Sequence, residues 1–193
     1  MSTFNLTRAL EELVADIVRH VADFSHIDPT KVLICVSTTR RGGIQGTFAK
    51  IHPLRFPGGT RSMEVKRGRR VFTCTMPAVT HAGQEMFYVI YFLVPRFLDL
   101  SLREKLITVF HELYHISPHF DGDIRRFPGR NFAHGGSRKR YNILMENLVD
   151  NYLQAQQCPD SFGFLDGTME SLRARHQAIV ARKFPVPKIK IQS

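Results

Sequence analysis

Between Thr108 and Ile116 the chain reads Thr-Val-Phe-His-Glu-Leu-Tyr-His-Ile. Two histidines stand four positions apart, and a glutamate follows the first. An α-helix turns about 100° per residue, so His111 and His115 would share one face. Both imidazoles could then reach one metal ion. Glu112 would sit to one side, within reach of a water on that ion, where a carboxylate can act as general base. A five-residue pattern with two free positions also arises by chance, so its surroundings carry the weight.

Those surroundings predict the helix. Ser101 and Glu104 have the spacing of a capping box at its start, and Pro118 stops it just past His115. Leu102, Leu106, Val109, Phe110, Leu113 and Ile116 gather on the face away from the histidines. Glu104 and Thr108 share the histidine face. The core therefore takes one side, and the motif looks toward a cleft or solvent.

Catalytic zinc commonly takes three protein ligands and leaves a position for water. His111 and His115 supply two. The downstream candidates for the third are His119, Asp121, Asp123, His134 and Glu146. His119 follows the helix end too closely to swing back, and Asp121 and Asp123 share that difficulty in milder form. Asp121-Gly122-Asp123 does not open a calcium loop, because Phe132 stands where the bidentate glutamate belongs. His134 lies in Ala133-His134-Gly135-Gly136, where glycines let the backbone fold close to a metal. Glu146 and Asp150 have the Glu-x-x-x-Asp spacing used by thermolysin-like zincins. Both fall opposite the apolar stripe of their predicted helix, where solvent-facing carboxylates belong. His134 is therefore the preferred third ligand and Glu146 the alternative. Asp150 is a candidate to steady a ligand from behind.

The elements that must position these residues read as an α+β chain. A helix covers residues 5–21, with Leu6, Leu10, Leu13, Val14, Ile17, Val18 and Val21 on its apolar stripe. Strands are predicted at 31–38, 46–52 and 85–94, and a hairpin at 63–66 and 71–75. A long Gly- and Arg-rich loop at 117–137 follows the motif helix, a length that is usually functional in a compact domain. A helix at 138–156 and a weaker one at 168–183 come last. Residues 1–183 form one domain, and residues 184–193 a basic tail expected to be poorly ordered.

Composition bounds the function. The chain has 193 residues, is 43% hydrophobic and carries a formal net charge of +10. It can bury a real core. The longest apolar run, around Met86 to Val94, is too short to span a bilayer, so no membrane partner is expected. The start lacks the basic and apolar pattern of a signal peptide. Cys35, Cys74 and Cys158 are scattered and read as buried thiols of a cytoplasmic protein. The positive charge permits a nucleic-acid partner. Lys66, Arg67, Arg69 and Arg70 on the predicted hairpin could touch phosphates, although guarding an edge strand against aggregation is the favoured reading.

With these residues in hand, the chain resembles the phage-type metallopeptidases, small zincin-like proteins, from about Leu6 to Tyr152. The matching stretches are His26-Ile27-Asp28-Pro29, Ser37-Thr38-Thr39-Arg40, Phe48-Ala49-Lys50-Ile51, Tyr88-Val89-Ile90 and Leu100 to Lys105. The most specific is the HELYHI helix followed by Phe120-Asp121-Gly122-Asp123-Ile124-Arg125-Arg126. The resemblance implies a zincin-like fold: an N-terminal helix, a small, mostly antiparallel sheet of about four to five strands, the motif helix packed on it, and C-terminal helices. It also implies a zinc peptidase, with Zn²⁺ on His111, His115 and His134, Glu112 as general base, and a protein or peptide substrate extended along an edge strand. Arg125, Arg126 and Tyr141 are candidates to steady the oxyanion. His134-Gly135 is similar to the His-Gly that supplies a zinc ligand in SprT-like proteases, which cut DNA-bound proteins. The alternatives are a non-catalytic zinc-containing module that binds DNA or protein, and a basic α+β domain with a chance motif. Glu112 argues against the first, since a structural zinc site has no use for a general base.

Overall fold

Residues Tyr88 to Val94 carry only aromatic and branched side chains, almost all buried, and this strand organises the fold. The computed structural model describes residues 2–38, 47–127, 138–155 and 162–192. In chain order the elements are β1 (Thr3–Asn5), α1 (Leu6–His20), β2 (Val32–Thr38), β3 (Ala49–Pro53), β4 (Ser62–Arg67), β5 (Arg70–Thr75), β6 (Thr80–His81), β7 (Gln84–Glu85), β8 (Tyr88–Val94), α2 (Leu102–Tyr114), α3 (Arg138–Ala155), α4 (Met169–Arg175), β9 (Ala178–Val180) and β10 (Lys190–Gln192).

The chain is α+β, with several small sheets. β8 lies between β2, which runs parallel to it, and β3, which runs antiparallel. A central strand has no solvent face, which is why β8 reads as an unbroken apolar run. Tyr88, Ile90 and Phe92 join Val32, Ile34 and Val36 in one cluster with the buried faces of α1, α2 and α3. Val89 and Tyr91 turn to the other face, with Leu33, Cys35, Leu54 and Met86. The expected single sheet of four or five strands is instead divided. β10, β5 and β4 form a separate antiparallel sheet, β1 pairs with β9 in parallel, and β6 pairs with β7.

α1 carries its expected stripe inward, and Asn5 caps it by accepting the Arg8 N–H at 3.1 Å. Tyr152 on α3 donates to Asp16 on α1 at 2.6 Å, tying the two helices. The helix expected at 168–183 is shorter. It ends at Arg175, and Ala178–Val180 leave it to pair with β1, a role that suits β-branched Ile179 and Val180.

The C-terminal residues are not a loose tail. The Val36 N–H donates to the Arg182 carbonyl at 2.8 Å on the outer edge of β2. The Tyr91 hydroxyl donates to the Pro185 carbonyl at 3.2 Å, and β10 pairs with β5. Composition argued for disorder here, but two sheet edges offered backbone partners. Cys35 is buried, and burial pushes its thiol up to about 11. Cys74 on the hairpin is only partly buried, and Cys158 lies outside the described residues.

One buried cation locks α2 to the chain that follows α3. Lys105 is 1% exposed. Its ammonium donates to the carbonyls of Leu165 at 2.7 Å and Gly167 at 2.6 Å. Lys105→Met keeps the aliphatic stem but leaves both carbonyls without this donor. The variant is expected to lose about 2 kcal/mol in urea unfolding. An unchanged midpoint would mean that water replaces the ammonium at no cost.

Candidate metal centre

The start of α2 is built as its sequence implies. The Ser101 hydroxyl accepts the Glu104 N–H at 3.3 Å, and a Glu104 carboxylate oxygen accepts the Ser101 N–H at 3.0 Å. Leu106, Val109, Phe110, Leu113 and Ile116 are buried in the main core. His111 falls in the last turn. His115 is the C-cap residue and keeps a helical backbone, φ −71° and ψ −16°. The helical spacing therefore survives to the second histidine. The two Nε2 atoms lie 3.0 Å apart, with the rings nearly perpendicular.

Glu112 is placed by tertiary packing. It is 7% exposed and lies against β3, hydrogen-bonded to the Ile51 backbone. Burial pushes its carboxyl up to about 7, and the Ile51 hydrogen bond offsets part of that rise. The register explains why Ile51 is available. The Leu93 N–H donates to the Phe48 carbonyl, and β3 pairs antiparallel with β8 so that Ile51 faces Ile90. Alternate residues of such a strand turn their backbone groups outward. Ala49 and Ile51 therefore present theirs away from β8. A cleft of about 270 Å³ opens here, lined by Thr47, Phe48, Ala49, Thr108, His111 and Glu112. The sequence placed Glu112 near the metal but did not identify β3 as its neighbour.

The other candidates separate. Tyr141 is brought to the histidines: its ring packs edge-on to His111 at 5.0 Å and lies nearly parallel to His115 at 6.1 Å. Its hydroxyl donates to the His111 carbonyl at 3.4 Å. Arg125 lies over the Tyr114 ring at 4.2 Å and donates from Nε to the Tyr114 carbonyl at 2.8 Å. Arg126 grips Asp123 through two bonds of 3.0 and 2.9 Å. Burial would raise the Asp123 carboxyl, but Arg126 and the Ile124 N–H outweigh it and hold the carboxyl below its ordinary value. Asp150 receives two bonds from Arg103, both 3.0 Å, across the α2–α3 contact. Glu146 is exposed on α3. His134 lies outside the described residues. Among the described residues no group of three His, Cys, Asp or Glu side chains is assembled to hold a metal.

The Asp121-Gly122-Asp123 run is a strap. The Tyr88 hydroxyl donates to the Asp123 carbonyl at 2.8 Å and accepts the Gly122 N–H at 3.0 Å. The Arg55 N–H donates to the Gly122 carbonyl at 3.0 Å. Ile116 and Ile124 form an antiparallel bridge, and the Arg125 N–H donates to the His115 carbonyl at 2.7 Å. The loop thus returns along the end of α2 and clamps the backbone of the second histidine.

The donor chemistry fits a zinc-type ion. Tetrahedral Zn–N bonds of about 2.0–2.1 Å place two ligand nitrogens about 3.3 Å apart, close to the 3.0 Å separation of the two Nε2 atoms. Two convergent imidazoles, a buried carboxyl beside them and an outward-facing strand edge come together at this end of α2. The chain belongs to the family described as "Putative phage metallopeptidase", which it matches over residues 3–143. No curated protein and no solved structure matches it. The family is one of metal-dependent enzymes that act on protein or peptide substrates. No helix among the described residues is long and apolar enough to cross a membrane.

Proposed function

We propose that this protein is a zincin-like zinc metallopeptidase, in which His111, His115 and His134 hold Zn²⁺ and Glu112 is the general base. The observation that carries the reading is the convergence of the two histidine Nε2 atoms at 3.0 Å, with the Glu112 carboxyl buried against β3. Bound zinc would supply Lewis acidity, lowering the pKa of a water toward ~7 and polarising the scissile carbonyl. The chain does the rest. Glu112 takes the proton from the attacking water and delivers it to the leaving amine. The outward backbone groups of Ala49 and the Ile51 carbonyl hold an extended substrate by strand addition, the Ile51 N–H being taken by Glu112. Tyr141 fixes the two imidazole rings by packing against both. Of the three oxyanion candidates, Tyr141 is the one whose ring packs against both histidines, while Arg125 and Arg126 are engaged by Tyr114 and Asp123.

Elemental analysis of the purified protein should find one zinc per chain. His134→Ala should reduce the zinc content to near zero, and Glu146→Ala should leave it unchanged. The opposite pattern would transfer the third ligand to Glu146, and a zinc-free wild-type protein would end the reading.

A further inference from the structure

The β4–β5 hairpin carries charge that the peptidase reading does not use. Its strands pair from Ser62 opposite Thr75 to Arg67 opposite Arg70. β10 covers only Thr73, Cys74 and Thr75. The outer half is therefore a two-stranded ribbon, and its tip reads Lys66-Arg67-Gly68-Arg69-Arg70. All four cations are exposed, and none has an acidic partner among the described residues. Arg67 and Arg70 stand directly across from each other, and like charges in that position destabilise a hairpin. Glu64, the acid on these two strands, faces Thr73 and shares a face with Lys66 alone of the four.

The pleat sends these charges both ways. Arg67 and Arg70 share a face with Val65 and Phe72, and Lys66 shares the opposite face with Val71. Arg69 extends the turn. A guard against edge aggregation would spread charge along the strand edge, whereas these four cations cluster around the turn at Gly68 and stand on both faces of the ribbon. Cations on both faces of a narrow projecting ribbon fit a slot with two anionic walls. The major groove of B-form DNA is such a slot: about 12 Å wide, it admits a two-stranded ribbon between two rows of phosphates. We infer that this hairpin enters the major groove of duplex DNA and contacts phosphates on both walls. The contacts are to the backbone, so binding is independent of sequence, and the net charge of +10 favours the encounter.

The test is fluorescence anisotropy of the full chain with a labelled mixed-sequence duplex, from about 50 to about 200 mM salt. Lys66→Gln, Arg67→Gln, Arg69→Gln and Arg70→Gln together should weaken binding at least about tenfold and lower the log–log salt slope by about 3 to 4. A control with Arg19→Gln, Lys139→Gln, Arg173→Gln and Lys183→Gln has the same net charge and should stay close to wild type. A second hairpin variant, Arg67→Lys with Arg69→Lys and Arg70→Lys, preserves the charge and should keep the slope. Equal losses in the hairpin and control variants would overturn the inference. So would equally tight binding of a single strand, equal competition by polyglutamate, or no binding of the duplex by wild type.

Discussion

Glu112→Gln is expected to lower peptide hydrolysis by about 10²–10⁴-fold while the zinc content stays at one per chain. Glutamine keeps the shape of the side chain and can still meet the Ile51 backbone, so β3 and α2 should stay in contact. It cannot accept and release a proton. Glu112 is not among the proposed ligands, so metal content and activity should separate. His111→Ala provides the contrast, because removing a ligand should lower zinc and activity together. Cleavage of an unstructured protein substrate, read beside elemental analysis, checks both variants. Undiminished cleavage by Glu112→Gln would remove this carboxyl from the mechanism. Zinc-loaded wild type that cleaves nothing would favour the non-catalytic binding module.

Gly122→Ala is expected to destabilise the fold by about 3–4 kcal/mol, from backbone strain and overpacking together. The glycine has φ +87°, a region that costs other residues energy. A Cβ at this position would meet the Cγ of Arg55 at 2.5 Å. Arg55 cannot move aside cheaply. It is 7% exposed, donates to Glu85 at 2.6 Å and to the Leu54 carbonyl at 2.7 Å, and lies over Phe87. Gly68→Ala isolates the backbone contribution, since Gly68 has φ +61° and nothing within 4 Å of its Cβ position. That variant should lose about 1 kcal/mol. For a chain of this size the Gly122 change corresponds to a drop in melting temperature of about 6–16 °C, readable by calorimetry. Equal losses at the two glycines would show that the Arg55 contact is soft. The Gly122 strap also holds the Arg125 N–H against the His115 carbonyl, so zinc affinity should weaken along with stability.

Local chemistry was legible in the chain alone. The capping box, Pro118 and the leucine stripe define α2 because each acts within a turn or two of its own position. The same holds for α1, for α3 and for the hairpin with its turn at Gly68. The helical spacing of His111 and His115 follows from 3.6 residues per turn, and the 3.0 Å between their Nε2 atoms agrees with it. The family likewise follows from the order of the residues.

Tertiary structure decided what depends on residues distant in sequence. Glu112 is buried because β3 lies across it, and the periodicity of its own helix carries no mark of that strand. The Tyr141 ring reaches both histidines only through the packing of α3 on α2. Asp121 and Asp123 stand in the sequence as disfavoured candidates for the third ligand, and the Tyr88 hydroxyl and the Arg55 backbone hold their run as a strap. The C-terminal residues, read as a tail from their Pro and Lys content, are ordered by the unpaired edges of β2 and β5. A sheet edge offers backbone groups to whichever segment the topology brings near, and side-chain pattern does not encode that choice.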